Sequence, residues 1–189
     1  MRKVFISFVV FTTICWTVGI GAFIPVASAA TLSAGDLIKA SGAAVYFYAA
    51  DGGRYTFPTQ STYMTWYNDF SSVVPVTDDE LAAIDLVGNV MVRPGTKLVK
   101  ITTVPKVYAV GPEGALYWVE TEAAAKALYG DNWSSMVIDV PDSLFTNYTD
   151  SGVALDGTVY PEGQLVSPAD SADTYYVNAD GSWSLVADE

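Results

Sequence analysis

The stretch Val45-Tyr46-Phe47-Tyr48, with Asp51-Gly52 close behind it, sets the pattern of the chain. It returns as Val107-Tyr108-Ala109-Val110 before Glu113-Gly114, and as Thr174-Tyr175-Tyr176-Val177 before Asp180-Gly181. Runs of β-branched and aromatic residues around an Asp-Gly turn are the strongest short-range signal for a β-hairpin. The copies recur at nearly even spacing along the chain, which predicts a repeat whose units each carry one hairpin.

A short apolar strand is predicted before each hairpin, as Leu37-Ile38-Lys39, Leu98-Val99-Lys100 and Leu165-Val166-Ser167. The second and third of these follow turn sequences at Pro94-Gly95 and Pro161-Glu162-Gly163. Glycine favours such turns because it adopts positive φ without steric cost.

An aromatic helix is predicted after the first hairpin. Tyr63, Trp66, Tyr67 and Phe70 follow the i, i+3, i+4, i+7 spacing of one helical face. We therefore expect Trp66 to be buried, and its replacement by alanine to cost roughly 3–5 kcal/mol.

The second unit has a matching helix with Ala125, Leu128 and Tyr129 on its apolar face. Thr121 is the expected N-cap and Gly130 the expected end of this helix.

Two further segments match between the first two units. Phe70-Ser71-Ser72-Val73-Val74 aligns with Trp133-Ser134-Ser135-Met136-Val137, and Leu86-Val87-Gly88-Asn89-Val90 with Leu155-Asp156-Gly157-Thr158-Val159. Between them, Thr77-Asp78-Asp79-Glu80 forms a capping box before a helical turn. Pro141 suits a first helical position in the second unit.

The predicted fold class is α+β, an antiparallel, hairpin-rich repeat module with short amphipathic helices. It has two complete units, residues 30–92 and 93–160, and a partial third, residues 161–189. The third unit either caps the sheet of the second or belongs to a longer array; terminal repeats are commonly atypical.

Residues 1–29 have the pattern of a cleaved signal peptide. Arg2-Lys3 is a positive start, the long stretch Val4–Val26 is uncharged, and Ala27-Ser28-Ala29 is a small-x-small cleavage site. The alternative is a retained anchor, since a stretch of that length can span a bilayer. Gly19, Gly21 and Pro25 favour the cleaved form, and we expect a secreted or cell-surface protein.

Composition excludes many chemistries. The sequence contains no histidine, and its one cysteine, Cys15, lies in the leader. The mature chain therefore lacks a Ser-His-Asp triad, a thiolate nucleophile and a Cys/His zinc site. No metal or cofactor is predicted.

The charge of the chain is strongly negative. Asp and Glu number 21 against 9 Lys and Arg, and two of the basic residues, Arg2 and Lys3, belong to the leader. Such a chain repels phosphate backbones and anionic lipid headgroups. We therefore expect no nucleic-acid partner, and no membrane contact after the signal peptide is cleaved.

The order of these motifs resembles the exported tandem-repeat modules of bacterial surface and wall-associated proteins. The likeness covers nearly the whole mature chain. It is carried by Gly35-Asp36-Leu37-Ile38-Lys39, Val45-Tyr46-Phe47-Tyr48, Arg54-Tyr55-Thr56-Phe57-Pro58, Thr65-Trp66-Tyr67, Leu98-Val99-Lys100-Ile101-Thr102-Thr103 and Ala127-Leu128-Tyr129-Gly130-Asp131-Asn132-Trp133. The resemblance implies an extracellular accessory or attachment module and carries over no catalytic residue.

The acidic side chains have structural explanations. Asp51, Glu113 and Asp180 occupy one turn position in all three units, and Asp78–Glu80 begin a helical turn, where acids interact favourably with the helix dipole. A loose grouping of Asp131 with Asp139 could hold calcium only if the fold assembled it. No catalytic residue is predicted.

Trp118 and Trp183 are the candidate ligand-binding residues. Their columns hold Thr56 and Arg54 in the first unit, and strand alternation turns them away from Tyr55. They either fill the seam between units or stack on a sugar or protein partner.

The predicted function is an exported, non-enzymatic repeat module in cell-surface structure or attachment. The alternatives are a module that binds glycan through outward aromatics and a glycoside hydrolase that uses carboxylates alone. The expected partners are a cell-wall or surface polysaccharide or a surface protein.

Overall fold

The computed structural model describes residues 31–168 and 171–186, and the predicted signal peptide lies outside them. Within the described residues, thirteen short strands form three sheets, and four short α-helices lie between the strands. The fold class is therefore α+β, as the sequence predicts.

The first sheet is a three-stranded antiparallel meander with one parallel strand added at each edge. Its strand order is β4-β1-β2-β3-β5. The strands are β1 (Leu37–Lys39), β2 (Tyr46–Tyr48), β3 (Arg54–Thr56), β4 (Val73–Pro75) and β5 (Leu86–Asn89), and the helices are α1 (Gln60–Tyr63) and α2 (Asp78–Ala82).

The second sheet has the equivalent strand order, β9-β6-β7-β8-β10. Each pair of strands is parallel or antiparallel as in the first sheet. Its strands are β6 (Leu98–Lys100), β7 (Val107–Val110), β8 (Ala115–Val119), β9 (Val137–Asp139) and β10 (Thr149–Leu155). The accompanying helices are α3 (Glu122–Tyr129) and α4 (Asp142–Phe145).

The third sheet is a meander of β11 (Leu165–Val166), β12 (Tyr175–Val177) and β13 (Trp183–Leu185). Its first pair has the same register as in the other sheets: Leu165 lies opposite Tyr176 as Leu37 lies opposite Phe47. No strand of the described residues pairs with its outer edges.

A turn of the same length closes each hairpin. The amide that begins the turn donates to the carbonyl four residues later, Ala49 to Gly53, Gly111 to Ala115 and Asn178 to Ser182. The glycine before the last residue has a φ of +80°, +77° or +79° at Gly52, Gly114 and Gly181. The two Asp-Gly turns are thus confirmed, and the second unit makes its turn with Glu113 at a φ of 53°.

Both faces of the second sheet are covered. On one face Leu98 packs with Leu128 of α3, and on the other Val99 and Leu116 pack with Phe145 of α4. Because neighbouring strand residues point to opposite faces, Leu98 and Val99 belong to two separate cores.

The first sheet covers its two faces differently. Leu37, Phe57 and Tyr63 form an apolar core on one side. On the other side the Arg54 guanidinium lies 4.9 Å from the centre of the Tyr46 ring and donates to a carbonyl of α2. Arg54 occupies the register position that Leu116 has in the second sheet.

The predicted aromatic stripe is confirmed at Tyr63, which is only 1% exposed, and at Tyr67, which packs on the core of the first sheet. It is wrong at Trp66 and Phe70, which are 40% and 45% exposed. The helix α1 itself ends at Tyr63. The residues that follow have modest helix propensity. The Thr65 amide and hydroxyl also both donate to the Thr62 carbonyl, which closes a tighter turn.

The predicted helix boundaries are largely correct. Thr121 caps α3 through its side chain, and Gly130 ends it with a φ of 78°. Thr77 and Glu80 form the reciprocal capping box of α2. Pro141 is the N-cap of α4, one residue outside the predicted position.

One predicted match between the units is displaced by a residue. Val73 lies opposite Leu37, and Val137 lies opposite Leu98, so Val73 corresponds to Val137 and not to Met136. A 3-10 turn that ends at Met136 accounts for the extra residue.

The match of Leu86 with Leu155 is also wrong. Leu86 pairs with the start of β3, and Asp150 takes the corresponding place against β8. The register of β10 against β8 shifts after Asp150. Gly152 lies in this irregular part with a φ of +71°. Because of this shift, the shared Leu-x-Gly sequence at Leu86 and Leu155 does not mark equivalent positions in the two sheets.

Candidate functional site

The turn carboxylates hold the hairpins together. Asp51 accepts a hydrogen bond of 2.9 Å from the Gly53 amide and one of 2.8 Å from the Tyr55 hydroxyl. Asp180 accepts bonds from the hydroxyl and the amide of Ser182. The Gly53 amide lowers the pKa of Asp51 most, and the Ser182 hydroxyl lowers the pKa of Asp180 most, because these bonds favour the ionised form. Both groups are therefore ionised acceptors at neutral pH.

Two other acidic candidates have partners of their own. Asp78 accepts from the Ser41 hydroxyl at 2.8 Å, and Asp139 pairs with the Lys100 ammonium at 3.0 Å. In residues 31–168 and 171–186 no three acidic side chains lie together where a metal ion could bind. The same residues contain no helix long and apolar enough to cross a membrane.

Trp183 lies on the third sheet. Its side chain is 48% exposed, and its ring centre lies 6.1 Å from those of Tyr160 and of Tyr175. Tyr160 belongs to the second sequence unit, so Trp183 contacts a neighbouring unit and also remains accessible to solvent.

Trp118 lies in β8, directly opposite Tyr108 on the neighbouring strand. The Lys106 ammonium lies 4.4 Å from the centre of the Trp118 ring, a cation–π contact. Among the described residues no ring contact joins Trp118 to Trp183. The two candidate residues therefore do not form one continuous aromatic surface.

Trp118 lines a recess of about 280 Å³ at the end of β8. Lys106, Glu120 and Glu122 place charges at its border, and Trp133 forms an aromatic wall. Glu122 also pairs with Lys126 at 2.9 Å along α3. The recess combines aromatic surface with hydrogen-bonding groups, which is the usual composition of a small-molecule site.

A second recess of about 540 Å³ lies at the corresponding end of β3. Its wall is Phe70, whose ring stacks on Tyr63 at 4.4 Å and which is 45% exposed. Its border carries Thr56 and Gln60, and the described residues that line it include no charged side chain. This recess is not among the predicted sites, although the sequence match of Phe70 with Trp133 indicates equivalent positions in the two units.

Comparison of the chain with known protein families, with curated proteins and with solved structures finds no match.

Proposed function

We propose that the protein is an exported, non-enzymatic repeat module that acts in cell-surface structure or attachment. The observation that carries the proposal is the recurrence of one strand order and one set of pairing senses in two successive sheets. The third sheet repeats the central meander. Repeat architectures stack such units and present extended surfaces to partners.

Contacts between the first and second sequence units support the proposal. The buried Val92 amide donates to the Tyr148 hydroxyl at 3.0 Å, and the Arg93 amide donates to the Thr65 hydroxyl at 3.0 Å. Each bond crosses the boundary between the two units, so the units stabilise each other.

The second and third units meet at their glycine turns. A Cβ on Gly95 would lie 2.3 Å from the Gly163 carbonyl oxygen, so only glycine permits this approach. The Gln164 side chain donates to the Gly95 carbonyl at 3.3 Å. These contacts hold the third predicted unit against the second.

The proposal of a non-enzymatic role rests on what the carboxylates do. A glycosidase acid needs a raised pKa, whereas the turn bonds lower the pKa of Asp51 and Asp180. Glu120 and Glu122 line the recess at Trp118. The hydrolase alternative therefore makes a specific claim, that a glycan is cleaved and that Glu120→Gln abolishes the cleavage.

Export and cleavage are tested by the intact mass of the protein recovered outside the cell. We expect a chain that begins at Ala30, and we expect Ala27→Lys, which disrupts the cleavage site, to retain residues 1–29. A wild-type mass that includes residues 1–29 would show a retained leader. The hydrolase alternative is tested by incubating the protein with neutral glycans and measuring the reducing ends released. If they are released by the wild type but not by Glu120→Gln, and the two proteins have the same melting temperature, the protein is an enzyme and the non-enzymatic proposal is wrong.

A further inference from the structure

The recesses at Phe70 and at Trp133 are the same site in two units. Every residue that lines the first recess has a counterpart that lines the second. Each residue of the second recess follows its counterpart in the first by the same number of positions along the chain, except Trp133. Trp133, the first residue of the 3-10 turn, follows Phe70 by one position more. The lining segments are residues 43–45, 56–60, 63 and 70 in one unit and 105–107, 118–122, 125 and 133 in the other.

The two recesses share a plan and differ in chemistry. Each has an apolar floor, from Val45 or Val107, and an aromatic wall, from Phe70 or Trp133. Of the described lining residues, only those of the second recess include charged side chains. Phe70 is 45% exposed, whereas Trp133 is half-buried against the core of its unit and lines the recess with part of its ring. Apolar surface that stays exposed commonly marks a contact surface.

We propose that each recess binds pyranose rings of a neutral surface polysaccharide. The C–H face of a pyranose ring is apolar and packs on an aromatic side chain, and its hydroxyl groups both donate and accept hydrogen bonds. Gln60 borders the first recess and Glu120 the second, each within the lining that such a ring would meet. The acidic chain repels an anionic polymer, which selects a neutral one.

The site in the first unit continues past its aromatic wall. A neighbouring hollow shares Ala43, Val45 and Phe70 with the recess and extends towards Pro75 of β4. The two adjoining hollows offer room for several linked sugar rings, which favours a polysaccharide rather than a single sugar as the ligand. A polymer that occupies both units gains avidity, because the second contact forms at a high effective concentration. The inference rests on the proposed attachment function and names its ligand class.

The test uses the mature chain, residues 30–189, in a ¹H–¹⁵N NMR titration. The probes are cellohexaose, chitohexaose and mannohexaose. With at least one probe we expect shifts of the Trp118 and Trp133 indole signals and of amides in residues 56–60, and none of the Trp183 indole. Phe70→Ala should weaken binding at the first recess about tenfold and leave the second unchanged. Trp133→Ala, which removes the corresponding wall, should do the reverse, and Trp133→Phe should retain binding.

Trp183→Ala is the control for Trp133→Ala, since both remove a tryptophan that is not fully buried. Phe70→Trp keeps the aromatic wall and should retain binding, which separates lost stacking from lost folding. Absence of shifts with all three probes, or shifts confined to Trp183, would overturn the inference. Because export is measured separately by mass, an exported chain without these shifts refutes the glycan sites and leaves the attachment proposal standing.

Discussion

One hydroxyl group contributes a buried hydrogen bond to the junction between the first two units. The Tyr148 hydroxyl accepts the amide hydrogen of Val92, a residue only 1% exposed. The change Tyr148→Phe removes this hydroxyl and keeps the ring. A buried donor left without its partner costs about 1–3 kcal/mol. We expect the free energy of unfolding to fall by that amount.

Tyr129→Phe is the matched control. The Tyr129 hydroxyl is buried and has no hydrogen-bond partner in the described residues. Burial raises the pKa of both Tyr129 and Tyr148, so both phenols are neutral at pH 7 and each change removes one uncharged hydroxyl. Removing an unpaired buried hydroxyl should leave stability unchanged or raise it by up to about 1 kcal/mol.

Urea unfolding followed by circular dichroism measures both changes, and the slope of the linear extrapolation should stay the same. We expect Tyr148→Phe to be less stable than Tyr129→Phe by at least about 1 kcal/mol. A Tyr148→Phe protein as stable as the wild type, or a Tyr129→Phe protein that is the less stable of the two, would refute the role of this bond at the junction.

Three further changes test the core, the junction of the second and third units, and the turns. Tyr63→Ala should cost about 3–5 kcal/mol because the ring is buried, whereas Trp66→Ala should cost less than about 2 kcal/mol; equal urea midpoints would contradict the burial difference. Gly95→Ala should lower the melting temperature more than Gly52→Ala, because both have positive φ but only the Cβ at Gly95 meets another backbone; a larger loss at Gly52 would contradict this. The pKa of Asp51 is lower in the folded state than in the unfolded one, so its stabilising effect is present above about pH 4 and is lost as the pH falls further. Asp51→Asn should therefore weaken the loss of stability between about pH 5 and pH 2, and an unchanged pH profile would exclude the turn carboxylate as a cause.

Local signals predicted the hairpins and the caps because these depend on residues within one turn. An Asp-Gly pair closes a hairpin through its own side chain and backbone, as at Asp51, and a threonine caps a helix three residues ahead of its partner amide, as at Thr121. Such interactions are contained in a few consecutive residues. The α+β class follows from their order along the chain.

The remaining errors come from interactions between residues that are far apart in the sequence. The parallel pairing of β4 with β1 depends on how many residues the intervening turns consume, and a 3-10 turn before β9 shifts the match by one. The Trp66 side chain is held at the surface by a bond to the Met91 carbonyl, far along the chain. The spacing of aromatic residues alone contains neither fact.

The two units keep their backbone pairing and change the side chains that fill it. Tyr46 lies beneath Arg54 in the first sheet, whereas Tyr108 packs in an apolar cluster with Leu116 in the second. The turns and the alternation of apolar residues specify the register, and cores accept different side chains that fill a similar volume. The recesses can therefore diverge in chemistry without disturbing the sheets. For this reason Phe70→Ala and Trp133→Ala are expected to act on separate sites within one fold.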